Sequence, residues 1–372
     1  MNVINSLRIV KYRTFDLFTL DSVARVNLVV GTNNSGKSSL LEAIYLLSSN
    51  DAPSSLLYIL NEHGEFAPRA SDPRLEQRLY GGYQASHIFH GRTIKTGQVI
   101  TVQSDKKRGS EALTISVKDM KPPRNSDNTQ MSLLLEDEIE AGIRYRALVF
   151  EYNRLGSDVA RNSLRITEEG LLAYRSSTRK MMAPDQSARL VTTNYLGYDE
   201  LALLWDTITL TPREDKVVEA LQILEQRVER ISFTSRQTSN SGILLKLKGE
   251  NEPVPLGSMG DGMRRVLAIV ASLVSVEQGT LLIDEIDTGL YYGVLKDIWR
   301  LILETAMRLN VQVFATTHSW DCVRAFQEAL SNTKDNNLGL LIRLEKKKDQ
   351  VEAVTFSSRD LDIAIKQGIE VR

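Results

Sequence analysis

A chain of 372 residues with 42% apolar and 25% charged side chains has the length of one large or two ordinary domains and the composition of a globular protein with a substantial core. Its 46 basic and 47 acidic side chains leave a net charge of −1, which excludes a global pull toward nucleic acid or anionic membrane but not a local basic face. One cysteine, Cys322, excludes an intrachain disulfide and a thiolate zinc site, and the start, MNVINSLRIVKYRTF, lacks a signal-peptide core. No apolar run nears the roughly 20 residues that span a bilayer, so no membrane partner and a cytoplasmic location are expected.

SLRIVKYRTF and VNLVV, short and rich in β-branched residues, are predicted strands. SSLLEAIYLLSS then repeats apolar residues at helical spacing, through Leu40, Ala43, Ile44 and Leu47. From about residue 95 to 175 alternation dominates, in QVITVQS, LTISVKD, RALVFEY and SLRITEEG. The polar breakers SDKKRGSE and KPPRNSDNTQ separate these runs, which predicts antiparallel β structure with exposed loops. TPREDKVVEALQILEQRVERI predicts one long amphipathic helix, with Thr211 as its cap, Pro212 at its first position and a stripe of Val218, Leu221, Leu224, Val228 and Ile231. GILLKLKGENEPVPL reads as a hairpin. The C-terminal third alternates differently: MRRVLAIVASLVSV a helix, TLLIDEID a buried strand, LKDIWRLILETAMRLN a helix, VQVFATTHS a buried strand. Strands alternating with helices predict a parallel sheet, and continuous apolar strands predict cover on both of its faces.

Between VNLVV and the first helix lies GTNNSGKSS, where Gly31, Gly36, Lys37 and Ser38 satisfy the phosphate-loop pattern G-x-x-x-x-G-K-[ST]. Glycines let the backbone turn its N–H groups toward phosphate oxygens, Lys37 brings charge to the β and γ phosphates, and Ser38 offers a hydroxyl to Mg²⁺. The helix that starts there turns its positive end to the same anion. Asn33, Asn34, Ser35, Gly36, Lys37, Ser38 and Ser39 are therefore the candidate nucleotide ligands.

Asp284 and Glu285 end the TLLI strand. An acid at such a strand end holds Mg²⁺ through water or beside Ser38, and Glu285 would then orient or deprotonate the attacking water. His318 ends the VFATT strand, where an imidazole can hydrogen-bond a γ phosphate. In LGSMGDGMRR, Ser258, Gly260 and Gly262 stand at a helix start and offer a second anion cradle. The two acids lie far along the chain from Lys37, which implies a large insertion between two parts of one site.

Phosphate loop, distant glycine-serine helix start, LLIDE and ATTHS, in that order, resemble the ATP-binding cassette (ABC) ATPase heads of the RecF, SMC and OLD (overcoming lysogenization defect) group. IDEIDTGL, FATTHS and GDGMRR look most like the stand-alone OLD-like ATPases of bacterial defence and genome-maintenance loci. The resemblance implies an α/β fold: a P-loop NTPase of ABC head type, with a mixed central sheet, an antiparallel β lobe and an inserted helical/β segment. It implies a single ATPase domain over 1–372, with a divergent insert at about 95–235. Gly31–Ser39 would be the Walker A loop, Leu281–Glu285 Walker B, Ser258–Gly262 the signature, Asp287 the D-loop acid and His318 the switch histidine. Arg13 would lie near the nucleotide, and Gln84 is the candidate for the glutamine that reaches the metal. Met259 and Asp261 stand where the signature usually has Gly and Gln or Glu, and Leu290-Tyr291 stands where family members often have Leu-His.

The implied cofactors are ATP and Mg²⁺, and the implied assembly is a head-to-tail homodimer or higher even oligomer sharing its ATP sites. The chain runs roughly 54 residues past His318, too few for the Toprim nuclease domain that OLD nucleases carry. The implied function is thus a nucleotide switch that regulates or recruits a separate effector, such as a nuclease, in antiviral defence. The alternative is a RecF-like ATPase that grips DNA in repair, served by Lys106, Lys107 and Arg108, by STRK and by EKKKD. Such clusters are otherwise ordinary solvated surface.

Overall fold

VNLVVG, all six residues buried, forms strand β3 (Val26–Gly31) at the inside of a six-stranded sheet. The computed structural model describes residues 4–66, 79–106, 109–121, 144–154, 160–167, 170–174, 187–194, 196–234, 242–333, 335, 337–348 and 350–372. The sheet runs β10 (Ala188–Val191), β14 (Thr280–Ile283), β15 (Gln312–Thr316), β3, β16 (Gly339–Lys347) and β17 (Gln350–Ser357). Pairing is parallel from β10 to β16, and only β17 is antiparallel to its neighbour.

Strand alternation divides the core between the sheet's two faces. Val26, Leu28 and Val30 of β3, Leu281 and Ile283 of β14, and Val313 and Ala315 of β15 join one apolar cluster. It is filled by α3 (Tyr198–Ile208), α4 (Pro212–Gln222), α5 (Asp261–Ser275), α6 (Leu295–Arg308), α7 (Trp320–Ser331) and α8 (Ser358–Lys366). Val29, Leu282 and Phe314 point to the other cluster, with α1 (Lys37–Ser48) and α2 (Ala52–Glu62). Helix α1 is buried almost all round, from Leu40 to Leu47, because an antiparallel sheet covers its outer side. At about 1.5–3 kcal/mol for each large apolar side chain buried, that second layer fixes the helix firmly beneath its N-terminal loop.

The covering sheet has eight strands, ordered β2 (Phe15–Leu20), β1 (Leu7–Tyr12), β5 (Val99–Lys106), β6 (Gly109–Met120), β7 (Tyr145–Arg154), β8 (Ala160–Thr167), β9 (Gly170–Tyr174) and β4 (Leu79–Tyr83). The predicted alternating runs supply β5 to β8, all antiparallel. SLRIVKYRTF is not one strand: it breaks at Arg13, whose φ of 46 turns the chain from β1 into β2.

A three-stranded sheet, β11 (Val228–Phe233), β12 (Ile243–Leu247) and β13 (Val254–Pro255), holds the predicted hairpin. The long helix expected over 211–231 ends at Gln222, and Val228 to Phe233 is strand instead. A bulge between Val228 and Arg230 shifts the register. It puts Val228 and Ile231, three apart, on the same buried side, and so imitates helical spacing within a strand. Among the described residues no helix is long and apolar enough to cross a membrane.

Candidate nucleotide site

Strand β3 runs straight into the loop Gly31–Ser39. Gly31 has φ +147, and a Cβ there would meet the Leu344 carbonyl at 2.6 Å and Ser35 Oγ at 2.8 Å. Gly36 has φ +97, and its Cβ would meet Thr14 Oγ1 at 2.8 Å. Both positions demand glycine on two counts, conformation and space. No side chain caps α1, so the N–H groups of its first turn are left to a ligand. Lys37 is buried, and its Nζ donates to the carbonyls of Gly31 at 2.9 Å and Thr32 at 3.0 Å. Burial pushes the Lys37 ammonium below its usual range, against the pull of Asp284 and Glu285. Ser35 and Ser39 are buried, while Asn33 and Asn34 are exposed at the tip.

The carboxylates arrive from the end of β14, and the neighbouring parallel strand β15 brings the hydroxyls that hold them. Ser38 Oγ donates to Asp284 Oδ2 at 3.0 Å. Register places Thr316 beside them, because Ile283 of β14 lies opposite Ala315 of β15. Thr316 Oγ1 donates to Asp284 Oδ1 at 2.6 Å and accepts the Glu285 N–H at 2.7 Å. Glu285 has φ 46, and its Oε2 accepts from Thr288 Oγ1 at 3.3 Å. His318 Nε2 stands 3.8 Å from Glu285 Oε1. Asp287 Oδ1 accepts from Thr317 Oγ1 at 2.5 Å. The structure thus gathers Lys37, Ser38, Asp284, Glu285, Asp287 and His318 at the C-terminal edge of β3, β14 and β15.

Arg13 is engaged elsewhere. Its Nη1 pairs with Glu65 Oε1 at 2.6 Å and its Nε with Glu42, a buried acid of α1. Tyr12 OH donates to Glu42 Oε2 at 2.8 Å, and His63 Nε2 lies 2.7 Å from Glu42 Oε1. Burial works against an ionised Glu42, but Arg13 and His63 outweigh it and hold the carboxyl below its ordinary value.

Gln84 is exposed and gives its backbone N–H to the Glu65 carbonyl at 2.9 Å. No hydrogen bond of the described residues brings it to Ser38 or Asp284. The strand beside β14 is β10, and the residues after it, Thr192, Thr193 and Asn194, share a cavity of about 80 Å³ with Ser38, Glu62, His63 and Asp284. Sequence reading missed this position because it looked for a glutamine, and β10 is only four residues long. It also missed Arg265, fully buried in α5. Its Nη1 donates to the Thr192 carbonyl at 2.6 Å, and its Nη2 donates to the Glu285 carbonyl at 3.0 Å and to the Asp284 carbonyl. The available signal was an arginine on the helix face that carries Ala268 and Ser272, both buried.

Ser258 sits in an exposed turn before α5, with its Oγ donating to the Pro255 carbonyl at 2.7 Å, and Gly260 follows at φ 88. No hydrogen bond of the described residues joins this turn to Gly31–Ser39. Of the basic clusters, Lys107, Arg108 and Ser177–Lys180 lie outside the described residues. In EKKKD, Lys347 pairs with Glu352 at 2.6 Å and Glu345 pairs with Arg343.

A parallel core sheet, a covering antiparallel sheet and a loop-to-helix turn at the edge of β3 make the fold that of an SMC or ABC ATPase head. Compared with solved structures, the chain superposes on the Smc head domain with an extended coiled coil bound to the C-terminal domain of ScpA, derived from Pyrococcus furiosus. The TM-score is 0.50 at 11% identity, over 99% of each chain, a likeness of fold. The SMC head domain from Thermotoga maritima gives 0.43 at 10% identity, over 95% of this chain and 98% of that one. A curated relative, the ATP/GTP phosphatase of Helicobacter pylori, is 23% identical over 352 residues, 88% of each chain. Residues 3–153 match the family model of an AAA ATPase domain. Residues 132–321 match the family described as "AAA domain, putative AbiEii toxin, Type IV TA system", and the chain belongs to that family. It is an ATPase, converting ATP and water to ADP and phosphate.

Proposed function

We propose that ATP binds at Gly31–Ser39 with Mg²⁺ at Ser38 and Asp284, and that two such heads close head-to-tail on two nucleotides. The single observation behind this is the Ser38–Asp284 contact, a hydroxyl and a carboxylate 3.0 Å apart at the positive end of α1. Two oxygen donors of this kind suit Mg²⁺, which takes one or two protein oxygens and keeps waters and phosphates for the rest. When bound, the metal neutralises charge on the β and γ phosphates.

The chain's own residues do the remaining work. Lys37 exchanges the carbonyls of Gly31 and Thr32 for phosphate oxygens. Asn33, Asn34, Ser35, Gly36 and Ser39 complete the cradle. Glu285 takes a proton from the attacking water, and His318, beside it, donates to the γ phosphate. Thr192 and Asn194 take the role sought for Gln84, lining the cavity next to Ser38 and Asp284. Arg13 acts from behind the site, through Glu42 of α1.

The exposed turn of Ser258 and Gly260, unconnected to the loop of its own chain, then covers the γ phosphate of a second copy, with Asp287 alongside. Residues 1–372 act as one ATPase domain, in which about 95–235 is an insertion. ATP closes the pair and hydrolysis opens it, a cytoplasmic switch that controls a separate effector in antiviral defence. The family's printed association with a type IV toxin–antitoxin system supports a role exercised with a partner. Light scattering on Glu285→Gln with saturating ATP tests the switch: a stable dimer is expected, and a monomer would refute the shared site.

A further inference from the structure

Three backbone carbonyls at the edge of the site point at one buried cation. Thr192 follows β10, Asp284 and Glu285 follow β14, and Arg265 of α5 binds all three. Its planar fork spans the two strand ends, Nη1 to one and Nη2 to the other. A lysine has the charge but a single nitrogen, and lacks the two separated, coplanar donors with which the guanidinium holds both strand ends.

Glu285 is the place where this matters. Its φ of 46 is left-handed, a conformation that a glutamate keeps only when its surroundings over-determine it. Two groups do so. Thr316 Oγ1 takes the Glu285 N–H, and Arg265 takes the Glu285 carbonyl together with the one before it. The peptide units on both sides of the Glu285 Cα are thus clamped, which fixes the direction of its side chain. Gly262, one turn before Arg265, packs where a Cβ would stand 3.0 Å from the Gly289 carbonyl, so α5 also abuts the loop after Glu285.

We infer that Arg265 is a positioning residue, which holds the left-handed backbone at Glu285 and thereby aims that carboxylate at the attacking water. The inference rests on Glu285 being the water-activating group. It requires that Arg265 contribute nothing to turnover once the Glu285 carboxylate is gone.

A double-mutant cycle on the full chain tests it, with ATP turnover and ATP affinity measured for Arg265→Lys, Glu285→Gln and the two combined. Arg265→Lys should lower kcat by about tenfold or more and leave ATP affinity within about twofold. The combined variant should be no slower than Glu285→Gln alone, because the two residues act as a unit. Multiplying losses, normal turnover in Arg265→Lys, or parallel loss of affinity would each overturn the role of Arg265. Normal turnover in Glu285→Gln would instead overturn the assignment of Glu285 itself. If Arg265→Lys does not fold, Arg265→Lys with Glu285→Gly should fold, since glycine takes φ 46 without support. Equal loss of the folding transition in that pair would overturn the inference.

Discussion

Ser38 Oγ reaches Asp284 Oδ2 across 246 residues of sequence. The contact exists because β3 and β14 flank β15 in one parallel sheet, so the loop after β3 and the acid after β14 leave the same edge. Strands β4 to β9 of the eight-stranded sheet and the α3–β13 region are threaded between the two strands in sequence without separating them in space.

Lys37→Ala should weaken ATP binding by about 100-fold or more, as read by titration with a fluorescent analogue. The ammonium is buried and held by two carbonyls, ready to meet phosphate. Unchanged affinity would remove the phosphate loop from the site.

A bulky residue at Ser258, such as Ser258→Trp, should cut hydrolysis about tenfold or more while ATP affinity stays near wild type. Among the described residues no hydrogen bond joins this turn to Gly31–Ser39 of its own chain, so in the proposed head-to-tail pair the lesion would act across two copies. Mixing this variant with Lys37→Ala should restore one competent site in each mixed dimer, and activity no higher than the sum of the two variants alone would count against sharing.

Thr316→Val keeps the volume and removes the hydroxyl that serves both Asp284 and the Glu285 N–H. It should cost about 1–3 kcal/mol in urea unfolding and lower kcat about tenfold. Wild-type stability and rate together would contradict the pairing.

The Glu42 cluster gives a pH dependence of stability. The hydrogen bond to Glu42 raises His63 above its ordinary 6.5, so its contribution is full below pH 6.5 and fades as pH rises through the folded value. Glu42 is shifted down, so its contribution holds above its ordinary 4.5 and is lost as pH falls through the lower folded value. Thermal melts should therefore show stability declining above pH 6.5, and His63→Gln should flatten that limb. Parallel curves for the two proteins would exclude the pair.

The phosphate loop, the acid-tipped strand β14 and the histidine-tipped strand β15 were legible because each combines a fixed residue pattern with a flanking strand and helix. Strands β5 to β8 were legible from alternation alone. Val228 and Ile231 misled because a bulge gives a strand helical spacing. Gln84 misled because side-chain type was taken for position: which residue stands beside Asp284 depends on strand order, and only the pairing of β10 with β14 reveals Thr192 and Asn194. Arg265 was hidden because its partners are backbone carbonyls, which leave no trace in residue identity.

Strand β3 is hemmed by β15 on one side and β16 on the other, and the crowding of Gly31 by the Leu344 carbonyl, 2.6 Å from where a Cβ would stand, locks its tip to β16. The base of the nucleotide cradle is consequently a fulcrum rather than a lever. Whatever moves during a cycle has to pivot around it, at rim segments such as the turn of Ser258, and hydrogen exchange should stay slow in β3 whichever nucleotide is supplied.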